Sequence, residues 1–216
     1  MTDQITQGKF GGFVLGGHPA TYWEKTWTKV QQDFNVKTLL DIGCGDGTST
    51  MFWQNALQCS VLGIDGFQTT TPRSFPFLLN NYNETSALKD EEFDLCICSE
   101  FAEHIFAENQ YLFLKDFEHA KYILFNAATP GQTAEDTANG FQTHNHVNEQ
   151  SLTYWIKHVE RHGFTYDHDY SMDLRKVAYQ DALVRPHDPF NHFIHKGLFF
   201  KRNNVKNCQF FSLVLQ

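Results

Sequence analysis

The sequence lacks several features that would assign it to a special class of protein. It contains no apolar run near the ~20 residues that a membrane span needs, and its first nine residues are polar. It also lacks a Lys/Arg-rich patch, since 17 Lys and Arg stand against 25 Asp and Glu, a formal net charge of −8. Because nucleic-acid binding depends mostly on neutralising phosphates, a nucleic-acid partner is not expected. No membrane partner is expected either.

Cysteines are few and odd in number. Three of the five lie in or beside predicted buried strands, and the five are Cys44, Cys59, Cys96, Cys98 and Cys208. Reduced thiols fit this placement better than a disulfide framework does. Together with the polar N-terminus, they predict a cytoplasmic protein.

The length and composition suit one globular α/β domain. The chain has 216 residues, of which 41% are hydrophobic and 15% aromatic, enough for a full-sized core. We see no internal repeat and no linker long enough to separate domains. We therefore treat 1–216 as a single domain, with an N-terminal arm or lid at 1–35, a cofactor-binding core at 36–170, and an insertion with C-terminal strands at 171–216.

Predicted strands and helices alternate through the core. Helical spacing occurs at 20–34, 48–57, 107–119 and 148–162, and apolar runs predict strands at 38–42, 60–64, 77–81, 93–99, 121–127 and 164–170. Two further strands are expected at 197–201 and 209–215. Alternation of this kind indicates a parallel sheet with right-handed crossovers.

A glycine-rich segment follows the first strand. Asp41 precedes three glycines that alternate over residues 43–47, and Thr48 then opens a helix. Glycines allow a ligand to approach the backbone closely, and a helix N-terminus offers unpaired N–H groups. Asp65 ends the second strand, where a carboxylate accepts hydrogen bonds from both hydroxyls of a ribose. These features predict a nucleotide-type pocket.

The glycine spacing distinguishes between two cofactors. A dinucleotide motif needs its third glycine one position later than Gly47, where this chain has Thr48. The run Asp41-Ile42-Gly43-Cys44-Gly45-Asp46-Gly47 instead resembles motif I of class I S-adenosylmethionine-dependent methyltransferases. Four later segments are similar to the type 11, 12 and 23 methyltransferase domains, over about residues 37–170: Gly63-Ile64-Asp65-Gly66, Phe93-Asp94-Leu95, Glu100-Phe101-Ala102-Glu103-His104-Ile105 and His146-Val147-Asn148.

The resemblance implies a Rossmann-like, seven-stranded, mostly parallel sheet with helices on both faces. It implies S-adenosylmethionine as cofactor, with S-adenosylhomocysteine as product. Asp41 and the glycine backbone would hold the methionine part, Asp65 the ribose, and Phe67 would pack on adenine. Asn83 is our candidate for the adenine amino group. The implied cofactor residues are Asp41, Gly43, Cys44, Gly45, Asp65, Gly66, Phe67, Asn83 and Glu100.

The Glu-x-x-Glu-His pattern with a distant histidine resembles metal-dependent O-methyltransferases. The implied ligands of a divalent ion such as Mg²⁺ or Mn²⁺ are Glu100, Glu103, His104 and His146. Such an ion lowers the pKa of a bound hydroxyl. Two alternatives are open: a metal-free site with His104 or His146 as general base, and a purely structural role. The candidate catalytic residues are His104, His146 and Glu103.

The acceptor is expected to be a small molecule with a hydroxyl group. An aromatic helix behind a glycine-hinged arm would close over it, with His18, Tyr22, Trp23 and His144 as candidate contacts. The alternative is that these aromatics pack on the core. Two rival functions are a non-catalytic S-adenosylmethionine-binding protein and an RNA ribose 2′-O-methyltransferase. The oligomeric state stays open.

Overall fold

The computed structural model describes residues 21–69, 72–132, 146–183 and 192–203. Within them, seven strands form one sheet in the order β3-β2-β1-β4-β5-β7-β6. The strands are β1 Thr38–Ile42, β2 Ser60–Asp65, β3 Phe77–Leu79, β4 Phe93–Ser99, β5 Ala120–Asn126, β6 Phe164–Tyr166 and β7 Leu198–Arg202. Only β7 runs against its neighbours, β5 and β6. The predicted fold class is confirmed.

Six α-helices cover the sheet in the described residues. They are α1 Glu24–Phe34, α2 Thr48–Asn55, α3 Tyr111–Phe117, α4 Leu152–Arg161, α5 His168–Leu183 and α6 His192–Lys196. Successive residues of β1 point to opposite faces, so Leu39 joins the core under Trp27 and Trp53, and Leu40 joins the core under Trp155. Burial of both faces explains the near-continuous apolar strands.

The central strands end at one edge of the sheet. β1 pairs in parallel with β2 and with β4, and the register places Asp41 beside Gly63 on one side and Ile97 on the other. The chain that leaves each strand therefore meets the others at the carboxyl edge. In an open α/β sheet, this edge is where ligands bind.

The chain after β4 departs from the sequence prediction in the length of its sixth strand. The predicted strand 164–170 ends at Tyr166, because the Asp167 side chain accepts the amide of Tyr170 at 3.0 Å and opens α5. The predicted strand 209–215 lies outside the described residues. By contrast, Gly163 follows α4 with φ +86°, as expected of a glycine that ends a helix.

The first helix is fixed by a distant carboxylate. Asp181 of α5 accepts the backbone amides of Lys25 (3.1 Å) and Thr26 (3.4 Å), which are unpaired donors in the first turn of α1. The insertion therefore packs against the N-terminal helix. The division of the chain into arm, core and insertion stays a prediction.

In the described part of the chain, no helix is long and apolar enough to cross a membrane. Four of the five cysteines lie in this part, and all four are buried free thiols: Cys44, Cys59, Cys96 and Cys98.

Candidate active site

The glycine turn after β1 has backbone dihedral angles that residues other than glycine rarely adopt. Gly43, Gly45 and Gly47 have φ of +79°, +57° and +90°. A Cβ on Gly43 would lie 2.5 Å from the Phe101 ring, and one on Gly47 would lie 2.0 Å from the Phe75 ring. At Gly45, no described atom lies within 4 Å of that position. Gly45 is therefore where the turn is open to a ligand.

Asp41 joins β1 to the start of α2. Its Oδ2 accepts hydrogen bonds from the hydroxyls of Thr50 at 2.6 Å and Ser49 at 3.2 Å. Burial raises the pKa of Asp41 to about 6, although these hydroxyls act in the opposite direction. Asp41 therefore shapes the turn from beneath, and its implied contact with the methionine part stays a prediction.

Asp65 holds the glycine turn against the chain that follows β2. Its Oδ2 accepts the amide of Gly45 at 2.9 Å, and its Oδ1 accepts the amide of Phe67 at 2.8 Å. Burial raises the pKa of the Asp65 carboxyl, and these amides and Arg73 act against that shift. The predicted ribose-binding residue thus lies at the carboxyl edge, beside Gly66 and the buried Phe67.

Asn83 links two loops at the edge of the predicted adenine region. Its Oδ1 accepts the amide of Phe106 at 3.0 Å, and its own amide donates to Asn81 Oδ1 at 3.0 Å. The side-chain oxygen is thus already hydrogen-bonded to the loop after β4. Its implied contact with an adenine amino group stays a prediction.

Glu100 follows β4 and is saturated with hydrogen bonds. Asn126 Nδ2 donates to Oε1 at 2.6 Å and Gln132 Nε2 to Oε2 at 3.1 Å, while Lys196 Nζ lies 3.0 and 3.3 Å from the two oxygens. Burial acts to raise the pKa of Glu100, but the Lys196 ammonium and His192 outweigh it and lower the pKa to about 2. Glu100 is therefore ionised and held in place.

Glu103 lies in the opposite environment, within the short 3-10 turn Ala102–His104. It is fully buried, and neither carboxylate oxygen has a hydrogen-bond partner among the described residues. Burial, and then the charge of Glu100, raise its pKa well above the ordinary value, and the Lys196 ammonium and the backbone amides of Glu103 and Ala128 offset this only in part. A buried carboxyl group without a close hydrogen bond calls for an explanation, and a bound ligand is one of them.

The backbone of Glu103 brings a second segment to the site. Its carbonyl oxygen accepts the amides of Val147 at 2.9 Å and Asn148 at 3.0 Å. The His104 and His146 rings then lie with their centres 5.1 Å apart, close to edge-on. One potential ligand atom from each of Glu103, His104 and His146 lies within 4.8 Å of the others. We call these three residues the acid–histidine cluster.

His146 is oriented by a carboxylate. Its Nδ1 lies 2.9 Å from Glu149 Oε1, and Glu149 Oε2 accepts the amide of Gly131 at 3.0 Å. A carboxylate on one ring nitrogen fixes the orientation and the tautomer of the imidazole.

The predicted four-residue ligand set therefore needs one correction. Glu100 was expected among the ligands, but the Lys196 ammonium lies on both of its oxygens, and the described cluster contains three residues. An ammonium and a metal ion would compete for the same lone pairs, because both are cations that bind carboxylate oxygen. Glu100 pairs with the lysine.

The predicted acceptor contacts are placed differently. Trp23 is 1% exposed and packs on Phe193 and Trp27, with ring centres 4.6 and 6.1 Å away. Tyr22 makes edge contacts with Trp27 and Phe52. Both side chains thus pack on the core, which was the alternative to acceptor contact. His18 and His144 lie outside the described residues.

Sequence reasoning missed three residues of this region: Arg73, Glu149 and Lys196. Arg73 had a signal, because it is the only Lys or Arg between Lys37 and Lys89. Glu149 stands three residues after His146 and is within reach of it in a turn. Lys196 gave no local signal, since its partner Glu100 is 96 residues away.

Comparison with known proteins gives two results. Residues 40–119, which carry the glycine turn, Asp65 and Glu100 to His104, match the family model described as a methyltransferase domain. A search of curated proteins found no match.

Several solved structures share the fold at low identity. The plantazolicin methyltransferase BamL, in complex with a triazolic desmethylPZN analog and SAH, has a TM-score of 0.62 at 15% identity, covering 84% of this chain and 83% of its own. An S-adenosylmethionine-dependent methyltransferase from Clostridium acetobutylicum ATCC 824 has 0.56 at 9%, over 84% and 91%. The methyltransferase domain of bacterial CtHen1-CN has 0.51 at 14%, over 67% and 86%. The resemblance to class I S-adenosylmethionine-dependent methyltransferases is confirmed, and the resemblance to metal-dependent O-methyltransferases stays a prediction.

Proposed function

We propose that this chain, a methyltransferase of the class I fold, moves the methyl group of S-adenosylmethionine to a hydroxyl oxygen of a small-molecule acceptor. The acid–histidine cluster carries the proposal, since it groups a buried carboxylate and two imidazoles just beyond the carboxyl end of β4. Oxygen and imidazole groups there suit the activation of a hydroxyl. The proposal includes a cytoplasmic location, which agrees with four free buried thiols.

The cofactor would lie along the glycine turn. Gly45 is open to a ligand, and Asp65 lies beside it at the end of β2. The fold relative BamL was solved with SAH and a desmethylPZN analog, which supports a bound sulfonium donor and a small organic acceptor. The net charge of −8 weighs against the RNA alternative.

The cluster also fits a divalent cation such as Mg²⁺ or Mn²⁺. Both oxygens of Glu103 lack hydrogen-bond partners in the described chain, and the two histidines complete a mixed oxygen and nitrogen donor set. A cation held by Glu103, His104 and His146 would lower the pKa of an acceptor hydroxyl. Glu149 would orient His146 toward it, and the Glu103 carbonyl would keep the His146 segment in place.

A metal-free reaction is the second candidate, favoured by the same His146–Glu149 pair. In this candidate, Nε2 of His146 would accept the proton of the acceptor hydroxyl while Glu149 stays on Nδ1, as in other histidine general bases. The hydroxyl oxygen would then attack the sulfonium methyl carbon in line, so that the O–CH3 bond forms as the S–CH3 bond breaks and S-adenosylhomocysteine leaves; positioning supplies much of the rate. The two candidates differ in whether chelation removes activity.

Cofactor binding is the first test. S-adenosylhomocysteine is titrated into the purified protein by calorimetry, and we expect one site per chain. No binding would overturn the proposed function. Binding without methyl transfer to any acceptor would favour the non-catalytic alternative.

The reaction is tested with a panel of phenols, sugars and other hydroxyl compounds, and with RNA as a separate arm. Methyl transfer is followed by mass spectrometry with and without EDTA, then after Mg²⁺ or Mn²⁺ is restored. We expect Glu103→Gln and His146→Asn to lose transfer by at least about 100-fold. Mn²⁺ binding that vanishes in Glu103→Gln supports the cation, and transfer that resists EDTA supports the metal-free base.

A further inference from the structure

We propose that Arg73 is a positioning residue of the cofactor site, which acts with Asp65 to hold the glycine turn in its binding shape. The inference rests on the proposed use of this edge for S-adenosylmethionine. It comes from one contact pattern: the Asp65 carboxylate and the Arg73 guanidinium both bind the backbone of Gly45 and Phe67.

Asp65 and Arg73 hold Gly45 and Phe67 from opposite sides. The Asp65 carboxylate accepts the amides of both residues. The Arg73 guanidinium donates to the carbonyl oxygens of both: Nε and Nη2 to Gly45 O at 3.0 and 2.6 Å, and Nη2 to Phe67 O at 2.8 Å. The N–H and C=O of Gly45 and of Phe67 are therefore all engaged by charged side chains. Charge-assisted hydrogen bonds of this kind are stronger than neutral ones.

Arg73 is itself held in one orientation. Its guanidinium carbon lies 3.7 Å from the centre of the Phe77 ring, in a stacked cation–π contact. Two residues along, the Phe75 ring fills the space beside Gly47 and Gly63. We call Arg73–Phe77 the strap. Arg73 contacts the glycine turn through hydrogen bonds, and Phe75 contacts it through its ring. The strap then joins the sheet, where Phe77 pairs with Gly63.

The geometry of the guanidinium explains why an arginine is needed. Two carbonyls of separate loops are reached by adjacent N–H groups of one planar fork, which a single ammonium cannot reproduce. The remaining nitrogen, Nη1, is buried and has no partner among the described residues. It is a donor for an acceptor that the described chain does not supply, such as a bound ligand or an ordered water.

The consequence for binding is preorganisation. The turn contains three glycines at positive φ, so without restraint it would sample many shapes. Fixing Gly45 before the cofactor arrives reduces the ordering cost of binding. Arg73 is therefore expected to contribute to cofactor affinity more than to the chemical step.

Affinity for S-adenosylhomocysteine tests the proposal in wild type, Arg73→Lys and Arg73→Met. The matched control is Arg202→Met. Arg202 lies on β7, away from the glycine turn, and pairs with Glu92 at 3.4 Å. We expect Arg73→Met to weaken binding at least 10-fold, Arg73→Lys about 5-fold, and Arg202→Met less than 2-fold. With an acceptor in hand, Arg73→Met should raise KM for S-adenosylmethionine and leave kcat within about 3-fold.

Hydrogen exchange of the ligand-free protein gives an independent readout. The Gly45 and Phe67 amides should exchange at least 10-fold faster in Arg73→Met than in wild type or Arg202→Met. If Arg73→Met does not fold, Arg73→Lys carries both measurements. Unchanged affinity and exchange in a folded Arg73 variant would overturn the proposal. If wild type itself does not bind S-adenosylhomocysteine, the proposed function fails, and exchange still decides whether Arg73 holds the turn.

Discussion

Glu100 and Glu103 stand three residues apart, and their carboxylates lie in opposite environments. Glu100 accepts hydrogen bonds from three side chains, including an ammonium, and its pKa is lowered to about 2. Glu103 is fully buried with no hydrogen-bond partner for its oxygens in the described residues, and its pKa is raised. Neighbouring carboxyl groups whose pKa values are pushed apart are typical of sites with divided roles. Here Glu100 pairs with Lys196, and Glu103 is the one that we propose binds a ligand.

Removal of Lys196 should destabilise the protein strongly. Lys196→Met leaves the Glu100 carboxylate buried without its cation, which costs about 3 kcal/mol in the free energy of unfolding. Because the pKa of Glu100 falls from 4.5 to about 2 in the folded state, this stabilisation is present above pH 4.5 and is lost as the pH falls toward 2. In urea titrations, the difference in the free energy of unfolding between wild type and Lys196→Met should therefore become smaller as the pH falls from 4.5 to 2.

Two further variants make that measurement specific. Lys176→Met breaks an exposed pair with Asp173 and should cost less than about 0.5 kcal/mol. Lys196→Met combined with Glu100→Gln should regain most of the lost stability, because the uncompensated charge is gone. A double variant as unstable as Lys196→Met alone would contradict the buried ion pair.

Glu149 should matter through His146. Glu149→Gln keeps the shape of the side chain and removes the charge that orients the imidazole, so we expect kcat/KM to fall about 10-fold. Glu118→Gln is the matched control, because Glu118 makes the same kind of contact with His162, at 2.7 Å, away from the site. Equal effects of the two substitutions on methyl transfer would refute the role of Glu149.

Asp41 should make stability depend on pH. Its pKa is raised from 3.8 to about 6, so the folded state keeps a proton that the unfolded state has already released. The free energy of unfolding of wild type, relative to Asp41→Asn, should therefore decrease by roughly 2 kcal/mol as the pH rises from 4 to 7.

The hydroxyl of Thr50 gives the control for this pH dependence. Because the hydroxyl lowers the pKa of Asp41, Thr50→Val should extend the decrease to higher pH. A difference between wild type and Asp41→Asn that stays constant from pH 4 to 7 would count against a buried, perturbed carboxyl.

Gly47 should tolerate no side chain. Gly47→Ala places a Cβ at φ +90° and 2.0 Å from the Phe75 ring, so the cost should exceed the ~1–2 kcal/mol of the backbone conformation alone. Gly163→Ala separates the two effects, since Gly163 has φ +86° and no described atom within 4 Å of its Cβ position. In chemical denaturation, the free energy of unfolding of Gly47→Ala should be well below that of Gly163→Ala. Equal decreases in the two variants would exclude the steric clash.

The parts of the fold that follow local rules could be predicted from the sequence. The apolar run into Asp41 and the glycine spacing gave the first strand, the turn and the helix start, and Asp65 followed at the end of the next strand. The strand predicted at 164–170 was too long, because its alternating pattern of aromatic and polar residues outweighed the capping signal of Asp167.

The contacts that define the site could not be predicted in the same way. Lys196 and Glu100 meet only because β7 enters the sheet between β5 and β6, which no local periodicity indicates. Arg73 stands out in the sequence as an isolated cation, but its partners are backbone carbonyls, which carry no residue-specific signal. Ion pairs between distant segments depend on how the whole chain folds, so a local sequence pattern does not predict them.

The carbonyl of Glu103 has a wider consequence. Main-chain hydrogen bonds to Val147 and Asn148 hold the His146 segment against the 3-10 turn, so the frame of the site does not depend on which side chains it carries. Substitution of the side chains at 103, 104 and 146 should therefore leave the backbone spacing of these three positions unchanged.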